Sequence, residues 1–300
     1  MASVRLAVLI GFLSANVAAM SIVMGETTYC SQSDELEIVL IGGKKVVVVM
    51  PAYNASKTLG MTYGELPKEF FDEALLVDDG STDNTFETAR SLGIRTLRHD
   101  KNRGYGANQK TCYKTALAMG GDIIVMLHPD YQYSPKIIPA IVSLLAYGPY
   151  DVVLGSRILD GGALAGGMPL YKYVFNRILT GLQNLAWRTK ISEFHTGLRG
   201  YKHTVLETIN FEANSDGFVF DNQILAQALW QGYSIGEVSC PTLYSPQSSS
   251  IGLRRAIVYG FGVLKTTLEL AAARVGVYTP DYLKPAESKG KASEMPRSDP

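Results

Sequence analysis

Five short apolar runs separated by helical patterns constrain this chain more than any other feature. Val46 to Met50 is β-branched and closed by Pro51; Leu75 to Val77, Ile94 to Leu97, Ile123 to Leu127 and Val152 to Leu154 follow. Runs this short and this apolar suit parallel strands buried on both faces. Helical patterns fill the intervals: Ser56 to Leu66, Thr85 to Leu92, Ala107 to Met119 and Pro135 to Tyr147. The last opens on Ser134-Pro135, a capping hydroxyl followed by proline at the first helical position. Strand and helix alternating in this way predict an α/β fold, a mostly parallel sheet with helices on both faces. In such sheets ligands sit at the carboxyl ends of the strands.

All five strand ends are polar. They read Pro51-Ala52-Tyr53-Asn54, Asp78-Asp79-Gly80-Ser81-Thr82-Asp83, Asn102-Arg103-Gly104-Tyr105-Gly106, His128-Pro129-Asp130-Tyr131-Gln132 and Gly155-Ser156-Arg157. A dinucleotide-binding fold would carry G-x-G-x-x-G after its first strand, and that place has no glycine. A P-loop lysine pattern is absent as well. What the rim offers is acid: Asp78, Asp79 and Asp130. Carboxylates hold a hard divalent ion that completes its shell with substrate phosphates. Arg103, Arg157, Arg199 and Arg254-Arg255 add planar, phosphate-matching charge. Taken alone, DDGSTD also reads as a turn and helix cap; four further polar strand ends in register favour a site.

Lys+Arg and Asp+Glu both number 28, so the net charge is zero, which argues against a nucleic-acid partner. With 46% hydrophobic and 19% charged residues, 300 residues suffice for one large domain, or for one domain with appendages. Cys30, Cys112 and Cys240 have no paired spacing, which points to a reducing compartment rather than a disulfide framework or a cysteine zinc site.

Both ends differ from the middle. Leu6 to Met24 is apolar behind Arg5 and reads as an export signal, a membrane anchor or an extension from an early start. The expected division is an N-terminal extension over 1–43, a catalytic domain over 44–284 and a disordered tail over 285–300.

Together VVVVMPAYNA, LLVDDGSTDNT, HDKNRGYGAN, HPDYQ with SP, DVVLGSR and HTGLRGY, in this order from Lys44 to Tyr278, resemble the family 2 glycosyltransferases of the Rossmann-like GT-A fold. The branch with dolichol- and polyprenyl-phosphate sugar transferases is the most similar. The resemblance implies an inverting enzyme with C-terminal acceptor-side helices, a UDP- or GDP-linked sugar donor, a polyprenyl-phosphate or glycan acceptor, and Mn²⁺ or Mg²⁺. It implies that Pro51, Tyr53, Asp78 and Asp79 line the nucleoside, that Asp130, His128 and Gln132 form the metal loop, and that Arg157 reaches the diphosphate. Arg199 and Arg254 join the donor side. His128 stands where the family has its first metal-loop Asp; imidazole is a competent ligand for Mn²⁺, though a loop-capping role fits equally. Ala55 replaces a Glu of many polyprenyl-phosphate members. The alternative function is nucleotide-sugar binding without turnover, through a degraded metal site.

In the second half, Gly161 to Gly167 reads as a lid or a surface loop, and Tyr171 to Trp187 as a helix. Phe218 to Gln231 reads as an amphipathic helix stopped by Gly232, with Asp221 in its first turn. Asp221 suits either the general base for a sugar hydroxyl or favourable charge at a helix start. A phosphate acceptor would need no base. Leu253 to Val275 is a long helical pattern that suits packing on the domain or a membrane surface. Cytoplasmic residence, peripheral or N-terminally anchored at the inner face of the membrane, is expected from donor supply.

Overall fold

The protein is described by a computed structural model covering residues 43–244 and 252–284. The N-terminal apolar segment, the C-terminal tail and most of the loop around Ser248 lie outside the described residues.

Seven strands form one sheet in the order β3-β2-β1-β4-β6-β5-β7. They are β1 (Val46–Ala52), β2 (Glu73–Asp78), β3 (Arg95–Arg98), β4 (Ile123–Leu127), β5 (Val152–Ser156), β6 (Leu198–Lys202) and β7 (Ile235–Ser239). All pairings are parallel except those of β6, which runs antiparallel between β4 and β5. The helices are α1 (Ser56–Gly64), α2 (Thr85–Ser91), α3 (Tyr105–Ala118), α4 (Ile138–Ala146), α5 (Leu170–Trp187), α6 (His203–Thr208), α7 (Phe220–Trp230) and α8 (Leu253–Arg274).

Both sheet faces are buried, and the side chains of each strand alternate between them. Val47, Val49, Leu75, Val77, Ile124 and Met126 face one core that includes Phe220, Ile224 and Leu225 of α7. Val46, Val48, Met50, Leu76, Ile123 and Val125 face the other, against Leu59 of α1 and Ile138, Ile141 and Leu145 of α4. This two-sided burial is why the strands read as continuous apolar runs.

Several boundaries differ from the sequence reading. β1 continues through Pro51 to Ala52; its pairing with β4 ends at Val49, so the missing proline N–H falls beyond that ladder. β3 is an edge strand, mostly exposed, shifted one residue onward. Ser134 makes no side-chain cap, and Pro135–Ile137 opens as a 3₁₀ turn before α4. α7 is buried nearly all round instead of amphipathic. The Gly161 to Gly167 segment is a series of turns anchored by fully buried Ala163, with Ile158 and Met168 beside it.

Two strands had no apolar signature. In β6, Arg199 and Gly200 interrupt the pattern. A Cβ at Gly200 would meet Ile141 Cγ2 at 2.5 Å and Leu145 Cδ1 at 2.6 Å, so a side chain there would displace the packing of α4. β7 reads IGEVS, with Gly236 lying against the ring of Tyr150. Because β6 is antiparallel, the residues entering it, Glu193 to Gly197, reach the same rim as the residues leaving β4 and β5.

Candidate active site

The strand ends surround one cavity of about 1200 Å³, whose polar wall includes Asp79, His128, Asp130, Gln132, Arg157 and Asp221. Asp79 and Asp130, from different strand ends, thus share one pocket.

The first two loops are laced together. Asn54 adopts φ 53, a left-handed conformation that asparagine tolerates. Its N–H donates to Ser81 Oγ at 2.8 Å, and its Oδ1 accepts from the Thr82 N–H at 2.9 Å. Asp83 accepts from the Ser56 N–H at 3.1 Å and from the Ser56 hydroxyl at 2.7 Å. Burial raises the Asp83 carboxyl, but hydrogen bonds from Thr85 and Ser56 outweigh it and hold the group below its ordinary value. Much of DDGSTDNT therefore shapes the loop. Asp79 lines the cavity: its Oδ1 accepts from the Arg103 N–H at 2.9 Å and lies 2.7 Å from His99 Nδ1, and its Oδ2 accepts from the Gly104 N–H at 3.0 Å. Pro51 and Tyr53 also line it, Tyr53 half exposed at the rim.

Three expected donor-side residues lie elsewhere. Asp78 is fully buried beneath the loop, where Ser81 N–H donates to it at 3.1 Å and Arg98 Nε lies 3.2 Å away. Arg199 is fully buried under the floor, donating to the carbonyls of Thr196, Asp221 and Phe194. It is placed to brace the rim, because its fork has no path to a ligand. Arg254 is exposed at the start of α8 and is not among the lining residues, whereas Ala256 and Ile257 are.

The fourth loop carries the candidate metal donors. Thr58 of α1 donates to the Pro129 carbonyl at 2.6 Å. Tyr131 follows at φ 58, an unusual conformation for an aromatic residue, with its hydroxyl donating to Glu65 at 2.7 Å. That turn brings the Gln132 N–H to Asp130 Oδ1 at 3.1 Å. Gly197, at the entry to β6, sits against the His128 ring: a Cβ there would meet Cδ2 at 2.6 Å. Among the described residues no group of three or more His, Cys, Asp or Glu is placed to hold a metal ion by itself. A carboxylate, an imidazole and an amide on one cavity wall still suit Mn²⁺ or Mg²⁺, which keep positions open for phosphate oxygens.

A hydrogen-bonded chain crosses the floor. The Tyr105 hydroxyl donates to Asp221 Oδ2 at 2.6 Å and lies 2.8 Å from His128 Nε2. Asp221 Oδ1 accepts from Gln109 Nε2 at 2.9 Å, and Arg199 lies 3.3 Å from Oδ2. Burial, reinforced by Asp221, pushes the Tyr105 hydroxyl well above its ordinary value. Burial also holds His128 below its ordinary value, outweighing nearby Asp130 and Asp221.

Arg157 lines the cavity from the end of β5. Its Nε donates to Glu193 Oε1 at 2.9 Å, one Nη2 proton goes to the same oxygen, and Nη2 also donates to the His195 carbonyl at 2.6 Å. Nη1 donates to the Tyr244 hydroxyl at 2.7 Å. Burial opposes its charge, yet Glu193 outweighs this and raises the guanidinium well above its ordinary value.

The sequence assigned no individual role to several lining residues: Tyr105 and His195, which lie in loops expected near the site, and Lys172, Asn176, Tyr244 and Tyr259. Lys172, Phe175, Asn176, Leu179 and Leu182 follow helical spacing on α5, a signal that was present but read only as a helix. His195 Nδ1 lies 2.8 Å from the Tyr259 hydroxyl, and its Nε2 is buried without a partner. Burial, then Arg199 and Arg157, pushes this imidazole down to about 3.

From this polar floor the cavity opens between α5 and α8, which pack together. There its walls are Tyr171, Phe175, Ile178 and Leu182 from one helix and Ile257 and Phe261 from the other. Phe175 is 60% and Phe261 70% exposed, so the trough is an uncovered apolar surface. One helix among the described residues, Ala256–Arg274, is long and apolar enough to cross a membrane, with mean hydropathy 1.3.

Comparison with known proteins agrees with this architecture. Residues 47–209 match the glycosyl transferase family 2. An uncharacterized protein of Methanocaldococcus jannaschii is 32% identical over 75% of this chain and 91% of its own length. A UDP-N-acetylglucosamine–dolichyl-phosphate N-acetylglucosaminyltransferase of Methanococcus voltae is 26% identical over 77% of this chain and 98% of its own. Among solved structures, glucosyl-3-phosphoglycerate synthase of Mycobacterium tuberculosis, in complex with Mn²⁺, UDP and phosphoglyceric acid, shares the fold with a TM-score of 0.62. It is 18% identical, over 85% of this chain and 86% of that one. With a family match across more than half its length and its strand-end loops gathered round one cavity, the chain belongs to glycosyl transferase family 2 and is a glycosyltransferase of the GT-A fold.

Proposed function

We propose that this enzyme moves one sugar from a nucleoside-diphosphate sugar to the phosphate of a polyprenol at a membrane surface. The observation that carries the reading is the exposed apolar trough between α5 and α8, continuous with the polar cavity. A water-soluble glycan has no use for such walls, whereas an isoprenoid chain does. The dolichyl-phosphate specificity named for the Methanococcus voltae relative supports the same acceptor class.

The state of Asp221 points the same way. Its carboxylate accepts from Tyr105 and Gln109 and faces Arg199, so its oxygens are engaged within the protein. A sugar hydroxyl needs a base to take its proton, while a lipid phosphate is already an anion. In this reading the acceptor phosphate oxygen attacks the anomeric carbon in line with the departing nucleoside diphosphate, and the configuration inverts. Asp79, Pro51 and Tyr53 hold the nucleoside end. Asp130, His128 and Gln132 would hold Mn²⁺ or Mg²⁺, which when bound supplies charge neutralisation for the leaving diphosphate. Arg157 has five N–H donors, of which the contacts to Glu193, His195 and Tyr244 leave one Nη1 proton for a phosphate oxygen. Lys172 lies on the same wall. Peripheral attachment would let the lipid phosphate enter along the trough.

The test is transfer from a panel of UDP- and GDP-sugars to a polyprenyl phosphate in detergent or vesicles, with a soluble glycan acceptor in parallel. A lipid-linked sugar sensitive to removal of divalent metal is expected. Transfer to the glycan with no lipid product would overturn the acceptor assignment.

A further inference from the structure

We infer that Asp221 and Tyr105 are positioning residues that fix the tautomer of His128 and so leave its Nδ1 lone pair for a divalent cation. The inference rests on the proposed function only in taking a cation to accompany the donor.

The argument is a count of protons. Asp221 as a carboxylate only accepts, so the Tyr105 hydroxyl proton is committed to Oδ2, at 2.6 Å. The hydroxyl has no second proton. Its contact with His128 Nε2 at 2.8 Å is therefore a bond that the imidazole donates. In the neutral ring the other nitrogen, Nδ1, is then bare, as a metal ligand must be. The lock extends backwards. Tyr113 donates to Gln109 Oε1 at 2.8 Å, which turns the Gln109 amide so that Nε2 donates to Asp221 Oδ1 at 2.9 Å. On the far side, Gly197 leaves room for the ring to lie in this position. An imidazole binds metal only in one of its two neutral tautomers at a given site. The Asp221–Tyr105 pair selects it, in the manner of groups behind metal-bound histidines.

The same count predicts an inversion. In Asp221→Asn the Gln109 donor calls for the new amide oxygen on its own side, against Arg199, which lies 3.3 Å from the Oδ2 position; with the oxygen toward Gln109 the amide N–H₂ faces Tyr105. The hydroxyl then accepts from the amide and donates to His128 Nε2, and the ring proton moves to Nδ1.

The experiment uses the full chain labelled with ¹⁵N-histidine, and a long-range ¹H–¹⁵N correlation spectrum that reads each ring's tautomer. His128 is assigned by its loss in His128→Gln. In the unsubstituted protein the spectrum should show Nε2 protonated, and Mn²⁺ alone should broaden the His128 Nδ1 signal first. Asp221→Asn should invert the tautomer and weaken Mn²⁺ binding about tenfold, while Tyr105→Phe should mix the tautomers with a smaller loss. A protonated Nδ1 in the unsubstituted protein would overturn the inference. So would an unchanged tautomer and Mn²⁺ affinity in a folded Tyr105→Phe, which removes the hydroxyl held against Nε2. No donor or acceptor is added, so this result and that of the lipid-transfer assay stand or fall separately.

Discussion

Glu193 holds Arg157 at the cavity wall, its Oε1 taking both the Nε and an Nη2 proton while its Oε2 takes the Arg157 backbone N–H at 2.8 Å. Glu193 itself is fully buried and Arg157 nearly so. Breaking one side of a buried pair leaves an uncompensated charge, which typically costs about 3–5 kcal/mol. Glu193→Gln should therefore lower stability by about 3 kcal/mol in urea unfolding. Arg157→Lys should stay folded, lose the fork and lower kcat/KM at least about tenfold. Unfolding midpoints and steady-state rates check the two claims separately, and an unchanged midpoint in Glu193→Gln would remove the first.

Gly197→Ala should push the His128 ring aside, because the new methyl would meet Cδ2 at 2.6 Å and Tyr133 Cε2 at 2.9 Å. Overpacking of this kind costs about 1–3 kcal/mol. The expected result is weaker Mn²⁺ binding in a protein that still folds. Titration calorimetry with Mn²⁺ measures it; full affinity would show that His128 tolerates displacement.

Acid should destabilise the fold partly through His195, whose imidazole is pushed down to about 3 by burial and by Arg199 and Arg157. The unfolded chain takes up this proton below about pH 6.5, while the folded chain refuses it until about pH 3. Stability from this group is thus full above pH 6.5 and is lost as pH falls between those values. At pH 5 the loss is about 2 kcal/mol. His195→Gln should therefore lose about that much less than the unsubstituted protein between pH 7.5 and pH 5. Parallel losses in urea titrations would contradict the assignment.

Phe261→Glu tests the trough. Phe261 is 70% exposed, so the fold should survive the charge. A carboxylate on the apolar wall should raise KM for a polyprenyl phosphate at least tenfold and reduce flotation with anionic vesicles. Nucleotide affinity should change less than twofold. Unaltered use of the lipid acceptor would detach the trough from acceptor binding.

Most of the sheet and the rim were legible because burial on both faces writes strands as apolar runs, and because a parallel sheet sends every strand end to one side. Asp79, Asp130, His128, Gln132 and Arg157 all reached the cavity for that reason. Arg199 and Asp78 did not, because sequence places a residue at a strand end without saying which way its side chain turns. Arg199 lies inside β6, a strand hidden by its own arginine and glycine. Tyr105 and Gln109 acquire their part only through Asp221, more than a hundred positions away, and no local pattern records such a partner.

The central place of β6 has a consequence for synthesis. β4 is complete at Leu127, but its partner begins only at Leu198, about 70 residues later on the ribosome. During that interval the fully buried strand Ile-Ile-Val-Met-Leu has an open edge, the kind of surface that recruits other chains. Nascent chains halted between these points should be captured by holdase chaperones, and release should coincide with emergence of residue 202 from the exit tunnel.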